Sequence, residues 1–453
     1  MQNVNKNTSY IIWFQIIFYF LVIPCAVCVY VFEYTPAVEV MPYCFVFILV
    51  YALSTNYFIG LHLNSTYSLF LVSFGVFIGG RYFAYLLDNS LLLFDMHFFI
   101  SYNLNNIEAI ELMSYLILGV CFLDIGYKSA MLSGKTFSNI SIDHDWMRKF
   151  CILSLLLSPI FIVEMLMSLK GALSGGYLTS KLYQAQSYNF PLSSLAQTIF
   201  GIAFGYSMVF NYRKKVFIAI LIYVMLSSLL IGARGPIITG MFLYIWMKGK
   251  NGEQKVGVIK ILSLGLLAIV AISYFIQMYS FRANGEGFDI ELGNYITHFI
   301  YEQGISVMVF DVSMKVDDYP ILAYFQTFIP GASALASIFF PVEYYMTGFQ
   351  HYMARALDPD LFNAGFGLDW TLFSDFYVFG GENLLGFCIV AFGFGALLAF
   401  LQNSTIHGFW LVLLFSLFTR LMFLPRSSLS TIFPFVIYFC VFVVLIPRLR
   451  FKS

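Results

Sequence analysis

Apolar residues in this chain neither alternate with polar ones at strand spacing nor keep to one face of a helix. They come in long unbroken runs separated by short polar turns. An α-helix needs about 20 apolar residues to cross roughly 30 Å of hydrocarbon. Cutting the chain on that rule predicts twelve spanning helices, at 11–32, 41–60, 67–87, 106–126, 151–168, 193–211, 216–232, 235–247, 257–279, 383–401, 409–424 and 430–447. The eighth and eleventh are the shortest. The first run is too long for the core of a cleaved signal peptide and a second apolar run follows it, so it is kept as a span. VIPC at Val22–Cys25 makes no lipoprotein box, since proline stands where a small residue is needed.

Composition agrees with the pattern. Of 453 residues 60% are hydrophobic, 19% aromatic and only 11% charged, against roughly 25% charged in soluble domains. The expected fold class is an all-α, polytopic integral membrane protein forming one membrane domain over 1–453, with the lipid bilayer as its surroundings. Lys+Arg and Asp+Glu number 24 each, so net charge gives no reason to expect nucleic acid. Seven cysteines lie inside or at the edge of apolar runs, which argues against a disulfide framework. No His/Cys/Asp/Glu set has metal-ligand spacing, and neither metal nor cofactor is expected. No phosphate-binding loop, G-x-S-x-G or dinucleotide fingerprint occurs.

The position of each charge is more informative. With the N-terminus inside, fifteen basic residues, Lys128 in the loop after the fourth span among them, fall in predicted cytoplasmic segments and nine outside, and both termini are predicted to be cytoplasmic. Four of the fifteen are arginine, against six of the nine. Lysine serves as a topology anchor, whereas arginine's planar fork binds carboxylate and phosphate oxygens bidentately. An arginine excess on the outer side therefore suggests an anion site there. Snorkelling interface residues are the alternative.

Ser280–Glu382, between the ninth and tenth spans, is the one long non-spanning region and holds thirteen of the 24 acidic residues. In this topology it is a large periplasmic loop. Its uncharged stretch Pro320–Pro341 is not a thirteenth span, because Pro330 and Gly331 break it at the centre; an interfacial or re-entrant helical pair fits better. The stretch 168–190, with Gly175 and Gly176, is expected to be an outer polar connection.

Candidate chemistry clusters on that outer side. In LIGARGPIITG, Gly232 to Pro236 form the turn between the seventh and eighth spans, where Arg234 and a helix N-terminus make a phosphate cradle. Arg420 and Arg426, in FTRLMFLPRSS, emerge on the same side, as does Arg282 after the ninth span. Four arginines at separate helix ends could converge on one diphosphate. His298 and Glu302 stand four apart in ITHFIYEQG, on one helical face, where they could pair or activate a hydroxyl. His351 is the other candidate base. Asp369 and Asp375, just before the tenth span, are candidates for binding sugar hydroxyls, or caps.

These motifs resemble those of the O-antigen polymerase (Wzy) family. The resemblance rests on GARGPIITG in a tight outer turn, SDFYVFGGENLLG closing the large outer loop, and arginine in the last outer turn, and it covers roughly Phe217 to the C-terminus. It implies a glycosyltransferase-C-like membrane enzyme of the bacterial inner membrane. The implied reaction is inverting and metal-independent: a growing glycan moves from undecaprenyl diphosphate onto a new lipid-linked repeat unit at the periplasmic face. A chain-length regulator would be a further partner. Arg234 resembles the family's middle-turn arginine, and Arg420 or Arg426 its late one. The alternatives are an O-antigen ligase of the same broad fold, a lipid-linked oligosaccharide flippase, and a scaffolding membrane protein.

Overall fold

The computed structural model describes residues 6–97, 100–186, 192–231, 233–250 and 292–450, together with Ser263, Leu267, Val270, Ala271 and Tyr274. Apart from those five residues, the predicted ninth span lies outside the described residues.

The other eleven predicted spans are helices. They are α1 (Lys6–Val31), α2 (Met41–Phe58), the pair α3 (Thr66–Phe77) and α4 (Gly80–Leu87), α5 (Asn106–Ser133), α6 (His144–Gln186), α7 (Ser193–Phe210), α8 (Lys214–Ile231) and α9 (Gly235–Lys250). Short helices follow: α10 (Leu292–Gln303), α11 (Ser306–Ser313), α12 (Ile321–Phe328), α13 (Ala332–Ala336), α14 (Phe349–Leu357), α15 (Pro359–Asn363) and α16 (Leu372–Phe379). The chain ends with α17 (Leu384–Ser404), α18 (Gly408–Phe423) and a last span Leu429–Leu449, whose regular part begins as α19 (Phe433–Cys440). Among the described residues nine helices are long and apolar enough to cross a membrane, or ten with the bent pair α3–α4 counted as one. The protein is a multi-pass helical membrane protein.

Three local readings change. The third span is broken: α3 and α4 meet at 65°. A side chain on Gly80 would strike the backbone of Ile300 and Gly304, so glycine there lets α10 cross close by. Arg81, just past the bend, is buried and donates to the carbonyls of Leu93 (3.3 Å) and Asp95 (2.6 Å). Asp95–His97 pairs antiparallel with Ser101–Asn103 in a small ribbon. Secondly, the expected polar connection at 168–190 is helical as far as Gln186, because α6 continues without a break. Thirdly, α5 runs past the predicted end of the fourth span. Lys128, expected in a cytoplasmic loop, is fully buried in it.

Small residues set the tightest helix crossings. A Cβ on Gly126 of α5 would overlap the backbone of Phe392 in α17, and one on Gly395 of α17 would overlap that of Leu123. Close backbone approach of this kind is how helices associate where apolar burial alone does not favour contact. Gly205 of α7 abuts Ser416 and Val412 of α18 in the same way. Trp246 of α9 packs on Phe415 and Phe418, with ring centroids 4.5 and 4.6 Å away.

Within this packing lies a buried polar cluster. Asp124, fully buried, accepts from Gln15 Nε2 (2.5 Å), Tyr19 Oη (2.9 Å) and Tyr67 Oη (2.8 Å). Lys128, one turn further along α5, donates to Asn56 Oδ1. The cluster ties α1, α2, α3 and α5 together.

The contacts between turns sort into two ends. At one, Lys250 Nζ donates to Thr405, Trp410 Nε1 to the carbonyl of Ser138 and the Phe137 amide to Ser404 Oγ. The other carries Arg234, Arg420 and Arg426 and is called the arginine end. The segregation matches the up-and-down threading of the predicted spans. At the arginine end the uncharged stretch 320–341 forms the two short helices α12 and α13, separated by Pro330 and by Gly331 at φ +78°. Eight residues of helix reach about 12 Å, so α12 does not cross a bilayer.

Candidate functional site

A cleft of about 410 Å³ opens at the arginine end. The first two turns of α7 form one wall with Ser194, Leu195 and Thr198, and the start of the last span forms another with Pro434, Phe435 and Tyr438. Gln326, Thr327, Pro330 and Gly331 of the α12–α13 hairpin and residues 347–351 contribute the loop side. Arg420, in the last turn of α18, faces into it beside Ser428, Ser430 and Thr431.

Arg420 is held from two directions. Its Nη1 donates to the carbonyl of Thr431 (3.2 Å) and its guanidinium lies 4.6 Å from the centre of the Phe435 ring. Among the described residues no carboxylate pairs with it. A half-buried, permanently charged guanidinium beside hydroxyl and amide side chains suits an anionic group attached to a polyhydroxylated one. His351 lines the same cleft, its ring 4.3 Å from that of Tyr344. Burial lowers the His351 pKa below the ordinary 6.5, which keeps the imidazole neutral and able to accept a proton at neutral pH.

The other predicted residues are placed differently. Arg234, with 16% of its side chain exposed, donates from Nη1 to Glu302 Oε2 at 2.7 Å and sits 5.1 Å from the centre of the Phe299 ring. Glu302 is therefore bound to Arg234, and His298, on the same helix, is exposed. Arg426 Nε donates to Asp369 Oδ2 at 3.0 Å. Among the described arginines of the expected set the environments are separate: Arg234 and Arg426 each have their own carboxylate, and Arg420 lines the cleft. The two turns are nonetheless neighbours, because Gly235 lies against the ring of Phe423, midway between Arg420 and Arg426 in sequence. Arg282 lies outside the described residues.

Asp375 is a correction of a different kind. It is fully buried and unable to reach a sugar. Its carboxyl accepts from Trp370 Nε1 (2.9 Å), the Leu429 amide (2.6 Å) and Ser428 Oγ (3.3 Å), pinning the turn between α18 and the last span onto α16. Burial outweighs these donors and pushes its pKa up to about 7. Asp375 thus shapes the cleft by holding Ser428 in place.

Sequence reasoning missed the hydroxyl lining. Ser428, Ser430 and Thr431 come from the run SSLST, which directly follows Arg426 and is unusually polar for a turn between two spans. Gln326 and Thr327 are polar residues in a mostly apolar, uncharged stretch. Among the described residues no group of three or more His, Cys, Asp and Glu is placed to hold a metal ion.

The family model for the O-antigen polysaccharide polymerase Wzy matches residues 8–452, nearly the whole chain. The match takes in the N-terminal spans as well as the arginine turns. Comparisons with curated proteins and with solved structures give no match.

Proposed function

We propose a lipid-linked donor and a lipid-linked acceptor for this chain, which belongs to the O-antigen polysaccharide polymerase family Wzy and so has a polysaccharide repeat-unit polymerase role. The growing glycan is carried on undecaprenyl diphosphate and is moved onto a newly flipped repeat unit at the periplasmic face of the inner membrane, where the arginine end lies. The termini are then cytoplasmic.

In this reading the cleft holds the donor's diphosphate against Arg420. A terminal sugar hydroxyl of the acceptor attacks the anomeric carbon of the donor glycan. The new C–O bond forms as the anomeric carbon–oxygen bond to diphosphate breaks, and the electron pair leaves with the diphosphate. Attack opposite the leaving group inverts the anomeric centre. His351, neutral before reaction, takes the hydroxyl proton. Diphosphate is already a good leaving group, so neutralising its charge and orienting the hydroxyl are the main tasks. Ser428, Ser430, Thr431 and Gln326 supply hydrogen bonds to sugar hydroxyls.

One observation carries this reading: an arginine without a carboxylate partner among the described residues faces a hydroxyl-lined cleft. Its test is Arg420→Ala in a strain lacking the native gene, with surface polysaccharide resolved by length. The ladder is expected to collapse to single-repeat units. An unchanged ladder would remove Arg420 from the site, and loss of the single-repeat band as well would point to ligation.

A further inference from the structure

The cleft lies between candidate membrane-spanning helices, and its loop side has two unlike faces. Two walls come from spanning helices, α7 and the last span. Tyr438 stands nine residues beyond Leu429, the first residue of that span. At the helical rise this places the cleft floor on the order of 10 Å along the span.

The α12–α13 hairpin closes the cleft from the side. Toward the cleft it turns Gln326, Thr327 and Gly331. Away from it, Ile321, Phe325, Leu335, Ile338 and Phe339 are exposed, Ile338 to 72% and Phe339 to 83%. No charged residue interrupts 320–341. The hairpin is seated on the last span: the Phe328 ring lies 4.8 Å from that of Phe433, five residues into the span, and 5.1 Å from Phe379. Its apolar face therefore continues the apolar surface of a membrane helix. An exposed patch of this size and chemistry is unfavourable in water and favourable in hydrocarbon.

We infer that the α12–α13 hairpin lies in the outer interface of the bilayer and that the cleft walled by α7 and the last span opens beneath it as a lateral portal. Through it an amphiphile with a polyprenyl chain and a diphosphate head enters from the membrane. The chain rests against the hairpin's apolar face as the head reaches Arg420. The occupant of that face is a hydrocarbon chain. This rests on the lipid-linked substrate proposed above and adds the route by which it arrives. Gly331, at φ +78°, makes the sharp reversal that presents polar side chains inward and apolar ones outward within a few residues.

Hydroxyl-radical footprinting of the full chain in lipid nanodiscs tests the placement without any need for catalysis. Phe339 and Ile338 are expected to be as protected as Phe392, which lies on the spanning helix α17 and is partly exposed in the bare protein. Oxidation of Phe339 to the extent of Tyr344 would overturn the placement. A polyprenyl diphosphate carrying a photoactivated group on its chain then tests the route. Labelling of the hairpin and of the Phe433–Tyr438 segment, competed by unlabelled polyprenyl diphosphate, supports it. Competition by excess phospholipid alone would make the portal a general lipid contact and overturn the substrate route, as would labelling elsewhere.

The charged pair Phe325→Asp with Phe339→Asp is expected to raise KM for a long-chain substrate about tenfold while leaving a short-chain, water-soluble analogue little changed. Equal losses with both substrates would reduce the hairpin to a passive roof. The footprint separates this inference from the proposed function. A lipid-protected hairpin in a protein that elongates nothing ends the polymerase chemistry alone, whereas a water-exposed hairpin in an active polymerase ends the portal alone.

Discussion

Asp124 and Arg420 are both charges in the membrane part of the chain, and the protein treats them in opposite ways. Asp124 is enclosed, its two oxygens taking three donors from α1 and α3, with the Lys128 charge one turn away. Arg420 has one carbonyl and one ring, and the rest of its surroundings is a cleft lined by hydroxyls. A charge in hydrocarbon is costly unless paired or given a task. Saturated partners make Asp124 a fastener of helices, and an open cleft leaves Arg420 available to a ligand. The difference teaches that depth in the membrane alone does not mark a functional charge; what distinguishes one is unfilled space beside it.

The comparison breaks most sharply at Asp124. Replacing it with leucine strands three buried donors and leaves the nearby Lys128 charge uncompensated, and an uncompensated buried charge costs about 3–5 kcal/mol. Thermal unfolding in detergent is expected to show a large drop in apparent Tm, with much of it recovered in Asp124→Leu combined with Lys128→Met. A single variant as stable as the parent would show that the cluster fastens nothing. Arg420→Ala should do the reverse. Elongation falls about 10²–10³-fold, the usual effect of removing one group that stabilises developing charge, while the melting temperature moves far less than at Asp124. Arg420→Lys keeps the charge but loses the fork and should fall between. Parallel losses of stability and activity at the two positions would erase the distinction.

His351 comes next. A base held neutral by burial keeps working as the pH falls, so the acid limb of elongation is expected below the ordinary histidine value of 6.5. His351→Gln should lower elongation by about 10² and remove that limb. A profile with the limb intact in the variant assigns the proton to another group.

How much of this was legible in the sequence follows from range. Each apolar run carries its own evidence, so among the described residues eleven of the twelve runs are helical, and the break at Pro330–Gly331 is visible because both residues act on their own backbone. The bend between α3 and α4 was not read, since Gly79–Gly80 marks a close crossing only once Ile300 and Gly304 are in place. Lys128 reads as a loop anchor in the sequence because Asn56, its partner, lies 72 residues away. The arginines were found by type and side, but their pairings span 68 residues for Arg234–Glu302 and 57 for Arg426–Asp369. Nothing local distinguishes an arginine that will meet a carboxylate from one that will face a cleft. Asp375 reads as either a sugar ligand or a cap for the same reason: a carboxylate near a loop end looks available until Trp370 and Leu429 close over it.

Asp375 offers a test of how far the cleft depends on its buried support. Its folded pKa, at about 7, is raised above the ordinary 3.8, so the folded state holds a proton that the unfolded state releases first. Stability from this group is fully present below pH 3.8 and is lost as pH rises toward 7. Asp375→Asn should remove that slope. It should also cost about 1–3 kcal/mol, because the amide offers an N–H where a neighbouring donor needs an acceptor. Unfolding measured across pH 4–8 checks both. A slope unchanged in the variant would show that another carboxylate sets it.

The smallest effect belongs to Arg234 and Glu302, and it decides what that ion pair is for. The glutamate is half exposed, so solvent screens the pair and its contribution to stability is expected to be under about 1 kcal/mol. Glu302→Gln frees the Arg234 guanidinium without removing it. If Arg234 holds a substrate diphosphate, its carboxylate partner competes with that anion, and freeing it should strengthen substrate binding, seen as a lower KM with the melting temperature nearly fixed. If the pair only anchors α10 to the turn after α8, Glu302→Gln and Arg234→Ala should weaken stability by similar small amounts and leave KM alone. Measuring KM and melting on both variants therefore sorts Arg234 with Arg420, as a group kept for a ligand, or with Asp124, as a charge whose partner is already in the fold.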